Sequence, residues 1–364
     1  TSIGNYAFQS CSGLTAVTIP AGVTSIGDSA FRSCTSLTAI DVADANPSYR
    51  SDGGVLYNKA MTSLILYPQD RDGDYAIPVG VTSIGSYAFE SCSKLSAVTV
   101  PASVTSINSS NFRYCSTLAA IDVADSNPAY RSDGGILYNK AMTGLLQCPE
   151  GKAGDYAIPV SVASIGDFAF NRCARLASVT LPDSVIAIGR YAFESCSSLT
   201  AVTIPAGVIY IGDSAFRSCT SLTAIDVAAA NPAYRSDGGV LYNKTMTGLI
   251  QCPAGKTGDY TIPVGVTSIG SDAFSVCSRL TTVTIPASVT SIGSSAFQYC
   301  SGLTAIDVAE ANLAYRSDGG VLYNRAMTRL IQCPGGKAGT YVIPAGVTSI
   351  GGSAFSSCSK LTAV

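Results

Sequence analysis

The stretch LTAVTIPAGVTSIGDSAFRSC, residues 14–34, decides the fold of this chain, because close copies of it recur along the whole length. Its apolar residues alternate from Leu14 to Ile19, which is the pattern of a short, half-buried strand. Proline lacks a ladder donor and glycine tolerates positive φ, so Pro20 and Gly22 end the strand and turn the chain.

The second half of this unit returns the chain to its starting side. Gly27-Asp28-Ser29 offers capping oxygens to one expected helical turn, Ala30 to Cys34, with Phe31 and Cys34 on its inner side. A unit this small cannot bury its apolar faces alone. Copies that stack in a parallel sheet, about 4.8 Å apart, share one core along the stack. The unit therefore predicts one coil of a solenoid.

The coil recurs at regular steps. The residues aligned with Ile19 are separated by 23 or 35 positions: Ile19, Val42, Ile77, Val100, Val123, Ile158, Leu181, Ile204, Val227, Ile262, Ile285, Val308 and Ile343. We predict a right-handed, β-rich leucine-rich repeat solenoid with one parallel sheet and short helical turns. We expect residues 1–364 to form a single domain truncated at both ends, since residue 1 begins inside a copy of the Thr-Ser-Ile-Gly motif.

These motifs resemble a known family. The pattern Leu-x-x-Val-x-Ile from Leu14 to Ile19, the Ala-Phe-x-x-Cys around Phe31, and the segment 46–59 are similar to the BspA-type leucine-rich repeat of bacterial and some protist surface proteins. The chain departs from generic leucine-rich repeats because Gly22 stands where the asparagine ladder would begin. The resemblance implies a cell-surface or secreted scaffold that binds other proteins, such as host matrix proteins or proteins of neighbouring cells.

The composition narrows the functional classes. Only 13% of the 364 residues are charged, the net charge is -2 and no basic run exists, so nucleic acid and anionic lipid are not expected partners. The chain has no histidine, which removes Ser-His-Asp and Cys-His catalysis. No stretch of about 20 apolar residues exists to insert into a bilayer. We predict that the chain is not an enzyme.

Thirteen cysteines raise the question of disulfides or metals. Ten follow a repeat phenylalanine by three residues, and three occupy the position of Tyr67. Stacked side chains would run parallel rather than converge, so buried, reduced thiols are expected. No Cys-x-x-Cys pair suggests zinc. The acidic segment 70–74 is typical of a calcium loop, but its three copies lose the acids. We expect no metal and no cofactor.

The 35-residue coils carry an insertion, Asn-x-x-Tyr-Arg-Ser-Asp-Gly-Gly, four times. Segments 55–58 and 64–67 predict two strands of a β-hairpin in the first copy. Tyrosine and arginine are enriched at binding hot spots, which makes their repeated pair a candidate contact set. The alternative is that tyrosine packs over the coil and arginine pairs with Asp41 or Asp52. The candidate residues are Tyr49, Arg50, Tyr130, Arg131, Tyr234, Arg235, Tyr315 and Arg316.

Two functions fit this pattern. The first is protein binding or adhesion, through the Thr/Ala face of the strands and through the hairpins. The second is a structural spacer or surface-array element without a specific ligand. An enzyme would need converging titratable groups, whereas the acids of this chain recur at regular distances.

Overall fold

The computed structural model describes all residues, Thr1–Val364, as strands joined by turns. The residues form two compact units, Thr1–Ala153 with Ser161–Arg175, and Gly154–Val160 with Leu176–Val364. Each unit is a β-solenoid with parallel strand pairing, as the repeat period predicts. The assignment of residues 1–364 to a single domain stays a prediction. The structure has no helix with the length and hydropathy needed to cross a bilayer.

The predicted repeat strands are present. A strand ends at or shortly before each of the thirteen predicted positions, and one more follows near the end of the chain. The bounds are Ala16–Ile19, Ala39–Val42, Gly73–Ala76, Leu95–Val100, Ala120–Val123, Ala153–Ala157, Arg175–Thr180, Ala201–Ile204, Ala224–Val227, Gly258–Thr261, Leu280–Ile285, Ala305–Val308, Gly339–Thr340 and Leu361–Ala363. Pairing is in register with the 23-residue step, for example Val17 with Ile40.

These strands form several short parallel sheets rather than the one sheet predicted. The strand Ala39–Val42 pairs with its predecessor, but not with the repeat strand that follows it. On the side away from that predecessor, the N–H groups of Ile40 and Val42 donate instead to Gly54 O at 2.8 Å and Ser51 Oγ at 3.0 Å. The insertion therefore occupies the side on which the next strand would pair.

The prediction of helical turns at the phenylalanine positions is wrong, because the structure contains turns there. Ser29 and Ser33 have φ of 55° and 58°, values that a right-handed helix does not contain. The N–H groups of Phe8 and Ser10 donate to Ala30 O and Arg32 O of the next coil, both at 2.8 Å. Since neighbouring coils satisfy these backbone groups, helical hydrogen bonds are not needed. Each αL residue costs about 1 kcal/mol or more, which the stacking must offset.

A second set of short strands, also paired in parallel, forms several separate ladders within the coils. Its members are Ser2–Ile3, Ser25–Ile26, Ser83–Ile84, Ser164–Ile165, Ala187–Ile188, Tyr210–Ile211, Ser268–Ile269, Ser291–Ile292 and Ser349–Ile350. Pairing is parallel, as in Ile3 with Ile26.

Each insertion is a three-stranded antiparallel meander rather than the two-stranded hairpin predicted. The strands are Tyr49–Asp52, Val55–Asn58 and Ser63–Leu66; Tyr130–Asp133, Ile136–Asn139 and Gly144–Gln147; Tyr234–Asp237, Val240–Asn243 and Gly248–Gln251; and Tyr315–Asp318, Val321–Asn324 and Arg329–Gln332. In the first meander Gly53 and Gly54, both at positive φ, form the tight turn. The third strand joins the short-strand ladder, with Leu64 beside Ile84.

The core is a stack of identical side chains. Phenylalanine rings of successive coils stack at about one strand spacing, such as Phe193 on Phe216 with centroids 5.3 Å apart. All thirteen cysteines are free thiols, and eleven are buried. The Cys219 thiol donates to Phe193 O at 2.9 Å. Burial raises the pKa of Cys300 to about 12. The buried thiols are therefore core groups, and several of them also donate to backbone carbonyls.

Candidate functional site

A buried asparagine fixes each meander to the preceding coil. Asn46 is fully buried, and its Nδ2 donates to Pro20 O and Val23 O, each at 2.9 Å. Its Oδ1 accepts from the N–H groups of Ser48 and Tyr49, each at 2.8 Å. Asn127, Asn231 and Asn312 repeat these contacts in the other meanders. The first strand of the meander therefore starts from a rigid position.

The candidate tyrosines have a structural role. The Tyr49 hydroxyl accepts from Ile26 N at 2.9 Å, a backbone group that the interrupted ladder would leave unpaired. Tyr130, Tyr234 and Tyr315 accept in the same way from Ile107, Ile211 and Ile292. Burial raises the pKa of the Tyr234 hydroxyl above its ordinary value. The side chains are half-buried, and this part of the contact set packs over the coil.

The candidate arginines, unlike the half-buried tyrosines, are exposed. Along Tyr49–Asp52 the side chains alternate between half-buried and exposed, so Arg50 and Asp52 face outward. Neither side chain forms a hydrogen bond or ion pair, and the expected local pairing of Arg50 with Asp41 or Asp52 is absent. The same exposure recurs at Arg131, Arg235 and Arg316, and at Asp133, Asp237 and Asp318.

Other basic side chains of the meander region are held internally. Lys152 Nζ donates to Gly134 O at 2.7 Å, across the tight turn of the second meander. Lys140 Nζ donates to Asp125 O at 2.8 Å. Equivalent bonds are made by Lys59, Arg71, Lys244, Lys256, Arg325 and Lys337. The outward arginines thus differ from their basic neighbours, because no backbone carbonyl binds them.

Twelve positions between Asn46 and Thr62 are identical in all four meanders. Ten of them have a visible structural role, such as the hydroxyl of Ser51 on Val42 N or the Asn58 carboxamide that accepts from Thr62 N at 2.8 Å. The ten are Asn46, Tyr49, Ser51, Gly53, Gly54, Leu56, Tyr57, Asn58, Met61 and Thr62. The remaining two are Arg50 and Asp52. Sequence reasoning could not separate them from the rest, because recurrence alone does not distinguish folding from binding.

The exposed face of the repeat strands is nearly uncharged. Thr15, Ala16 and Thr18 are exposed, and the Thr38 hydroxyl donates to Thr15 O at 2.9 Å. Exposed aspartates interrupt this face once in each long coil, at Asp41, Asp122, Asp226 and Asp307. The exposed side chains of this face are therefore small and mostly uncharged.

The acidic segment 70–74 makes separate contacts. Asp70 pairs with Lys94 at 2.7 Å, and Asp74 accepts from Ser96 Oγ at 2.7 Å. No group of three or more acidic, cysteine or histidine side chains in the structure could hold a metal ion. The carboxylates of this segment therefore act as individual surface contacts.

A cavity adjoins the third strand of each meander. The first, of about 360 Å³, is lined by Leu66, Arg32 and Tyr87, and Arg32 forms an ion pair with the buried Glu90 at 2.6 Å. The third, of about 440 Å³, is lined by Asp213 and Asp272. The cavities at the second and fourth meanders measure about 180 and 530 Å³. Since the charges of the linings differ, these cavities do not form one repeated site.

Parallel strands at a 23-residue step, a stacked Leu, Phe and Cys core and a repeated surface define a leucine-rich repeat solenoid. The chain belongs to the BspA-type leucine-rich repeat family, whose model matches six copies over residues 1–66, 73–132, 152–236, 255–323 and 337–364. No curated protein sequence matches the chain significantly.

Solved structures show the same kind of repeat. A leucine-rich repeat protein of Eubacterium ventriosum is 24% identical with a TM-score of 0.56, over 98% of this chain and 80% of that one. A leucine-rich cell surface protein of Faecalibacterium prausnitzii is 29% identical with a TM-score of 0.49, over 99% and 75%. The pneumococcal vaccine antigen PcpA is 20% identical with a TM-score of 0.48, over 84% and 78%.

Proposed function

We propose that this chain is a binding scaffold of the cell surface or of a secreted protein, and that it adheres to a protein partner through its repeat surface. Membership of the BspA-type repeat family supports a scaffold rather than an enzyme. The observation that carries the proposal is the Arg and Asp pair that recurs in four meanders with exposed side chains that form no hydrogen bond or ion pair.

Because the Arg and Asp pair is repeated, binding is distributed over several weak contacts. Each meander offers few exposed charged side chains, of which the Arg and Asp of its first strand are free of a hydrogen bond in every copy, so one copy supplies little binding free energy. Four linked copies multiply their effects, because the first contact raises the effective concentration of the others. The strand face adds area but little charge for steering.

The test uses the full chain and purified matrix proteins, namely fibronectin, fibrinogen and laminin, in biolayer interferometry. We expect at least one of them to bind, a single Arg131→Ala change to weaken binding about twofold, and alanine at all four arginines to weaken it more than tenfold. Arg279→Ala is the matched control, since Arg279 is exposed and unpaired outside the meanders. A folded chain that binds none of these proteins would favour the structural spacer instead.

A further inference from the structure

The cavity at the fourth meander lies where a row of backbone hydrogen bonds is interrupted. In the short coils the N–H groups of one turn donate to the next turn, as Phe274 N does to Ala296 O at 2.8 Å. The N–H groups of Ser295 and Phe297 form no hydrogen bond, because the meander follows their turn. Both residues line the cavity of about 530 Å³. One wall of this cavity therefore carries unpaired backbone donors.

The side chains of this cavity favour a negatively charged group. Arg329 lines the cavity and is exposed, and its guanidinium forms no hydrogen bond or ion pair. The hydroxyls of Ser294 and Ser353 are further donors in the lining. No aspartate or glutamate lines this cavity, whereas Asp213 and Asp272 line the third one. Since hydrogen bonds to an ionised group are about twice as strong as neutral ones, an anion gains most from these donors.

The second meander shows which groups this row of donors binds. There Tyr114 N donates to Glu150 Oε1 at 2.6 Å, and Ser110 N donates to Asn108 Oδ1 at 3.0 Å. Two of the three N–H groups that the second meander leaves without a neighbouring turn are therefore bound by side-chain oxygens, one of them from a buried carboxylate.

The fourth meander lacks both internal acceptors. Gly293 and Gly335 occupy the positions of Asn108 and Glu150, and the third N–H group of the row, that of Tyr299, also forms no hydrogen bond. The cavity measures about 530 Å³, against about 180 Å³ at the second meander. This larger volume falls within the roughly 300–1,000 Å³ of small-ligand sites.

We propose that the cavity at the fourth meander binds a carboxylate group of a ligand, in place of the internal side-chain oxygens of the second meander. The carboxylate oxygens accept from the N–H groups of Ser295 and Phe297, and Arg329 supplies the opposite charge. A small organic acid and an acidic side chain of a polypeptide both present this group. None of the outward arginines or aspartates lines the cavity, so this proposal and the proposed adhesion fail separately.

The direct test is NMR of the full chain labelled with [15N]phenylalanine, of which the chain has eleven. The probes are glutarate, a free acid, and a capped Ala-Glu-Ala tripeptide, with the capped Ala-Gln-Ala tripeptide as the uncharged control. We expect at least one acidic probe to shift the Phe297 amide signal, which is identified by its loss in Phe297→Leu. The signal of Phe274, whose N–H is already paired, should stay in place, and the control tripeptide should shift neither.

Variants of the lining separate charge from shape. A Cβ at Gly352, which lines the cavity, meets no atom within 4 Å, so Gly352→Asp and Gly352→Asn should both fold. We expect Gly352→Asp, whose carboxylate repels the ligand, and Arg329→Ala each to weaken binding about tenfold, as the loss of one hydrogen bond to a charged group implies. Gly352→Asn and Arg316→Ala, an exposed arginine of the same meander, should weaken it by less than about twofold.

The two probes also distinguish the sources of the carboxylate. Binding of the tripeptide alone identifies an acidic side chain of a polypeptide, and binding of glutarate alone identifies a free acid. A Phe297 amide signal that neither probe shifts overturns the proposal. Equal weakening by Gly352→Asp and Gly352→Asn, or tighter binding of sulfate than of either carboxylate, also overturns it.

Discussion

The short coils and the long coils satisfy their backbone hydrogen-bonding groups with different partners. In a short coil, strands, turns and side chains repeat at one spacing, and many backbone groups pair with the next coil, as Phe8 N does with Ala30 O. In a long coil the meander interrupts this pairing, so side chains must replace it. Tyr49 and Ser51 supply hydrogen-bond acceptors that a strand would otherwise provide.

The difference shows where new function can reside. A regular ladder assigns every position to stacking, and a change at one position is felt by both neighbours. The meander is held by a few buried polar contacts, which leaves Arg50 and Asp52 outside the structural network. Function is therefore expected where the repeat is interrupted.

Replacing the buried asparagine that fixes a meander to the preceding coil should have the largest effect on the free energy of unfolding. Asn127→Ala removes two donated and two accepted hydrogen bonds at a fully buried site, and leaves Val104 O without its donor, while Pro101 O keeps only the Val104 N–H at 3.3 Å. We expect the free energy of unfolding to fall by about 3 kcal/mol in urea denaturation. Ser109→Ala, an exposed change in a short coil, should alter it by less than about 0.5 kcal/mol. Similar losses from both changes would refute the contrast between the two kinds of coil.

The second prediction compares two long coils. Glu150 is buried where Gln69 occupies the same register in the first long coil. Burial raises the pKa of the Glu150 carboxyl from 4.5 to about 7, although the Tyr114 N–H and the positive charge of Arg172 lower it. The folded state therefore holds a proton that the unfolded chain has already released.

This difference in protonation sets the sign of the change in the free energy of unfolding with pH. Between about pH 4.5 and about pH 7 only the unfolded chain ionises, so the free energy of unfolding falls as the pH rises and then stays low. Glu150→Gln removes this slope and should be more stable than wild type by about 2 kcal/mol at pH 8. Urea denaturation at pH 4 and pH 8 measures it. An equal gain at both pH values would show that ionisation of Glu150 is not the cause.

A smaller effect is expected in the cysteine stack of the short coils. Cys219→Ala removes the thiol that donates to Phe193 O at 2.9 Å and leaves a small void, which should cost about 1–2 kcal/mol. Cys219→Ser keeps a donor and should cost less than the alanine change. Thermal unfolding of both variants tests this order, and a serine variant less stable than alanine would mean that the apolar environment outweighs the hydrogen bond.

The smallest effect concerns the outward arginines. Arg131→Ala should change the free energy of unfolding by less than about 0.5 kcal/mol, because its side chain is exposed and forms no hydrogen bond or ion pair. Tyr130→Ala, its half-buried neighbour, should cost more, since Ile107 N then loses its acceptor at 2.9 Å. Chemical denaturation of the two variants gives the comparison. A large loss at Arg131 would reveal a structural role and weaken the proposed binding surface.

The sequence by itself determined the repeat period, the strand positions, the four insertions and the buried cysteine column, because stacking requires equivalent residues at equal steps. Only the tertiary structure decided the left-handed turns at Ser29 and Ser33, since their backbone partners lie on the neighbouring coil. It also decided that the sheets stop at Ala39–Val42 and that Arg50 stays unpaired. These features depend on which donors and acceptors lie within hydrogen-bond distance of each other in the folded chain. The spacing of residues along the sequence does not give those distances.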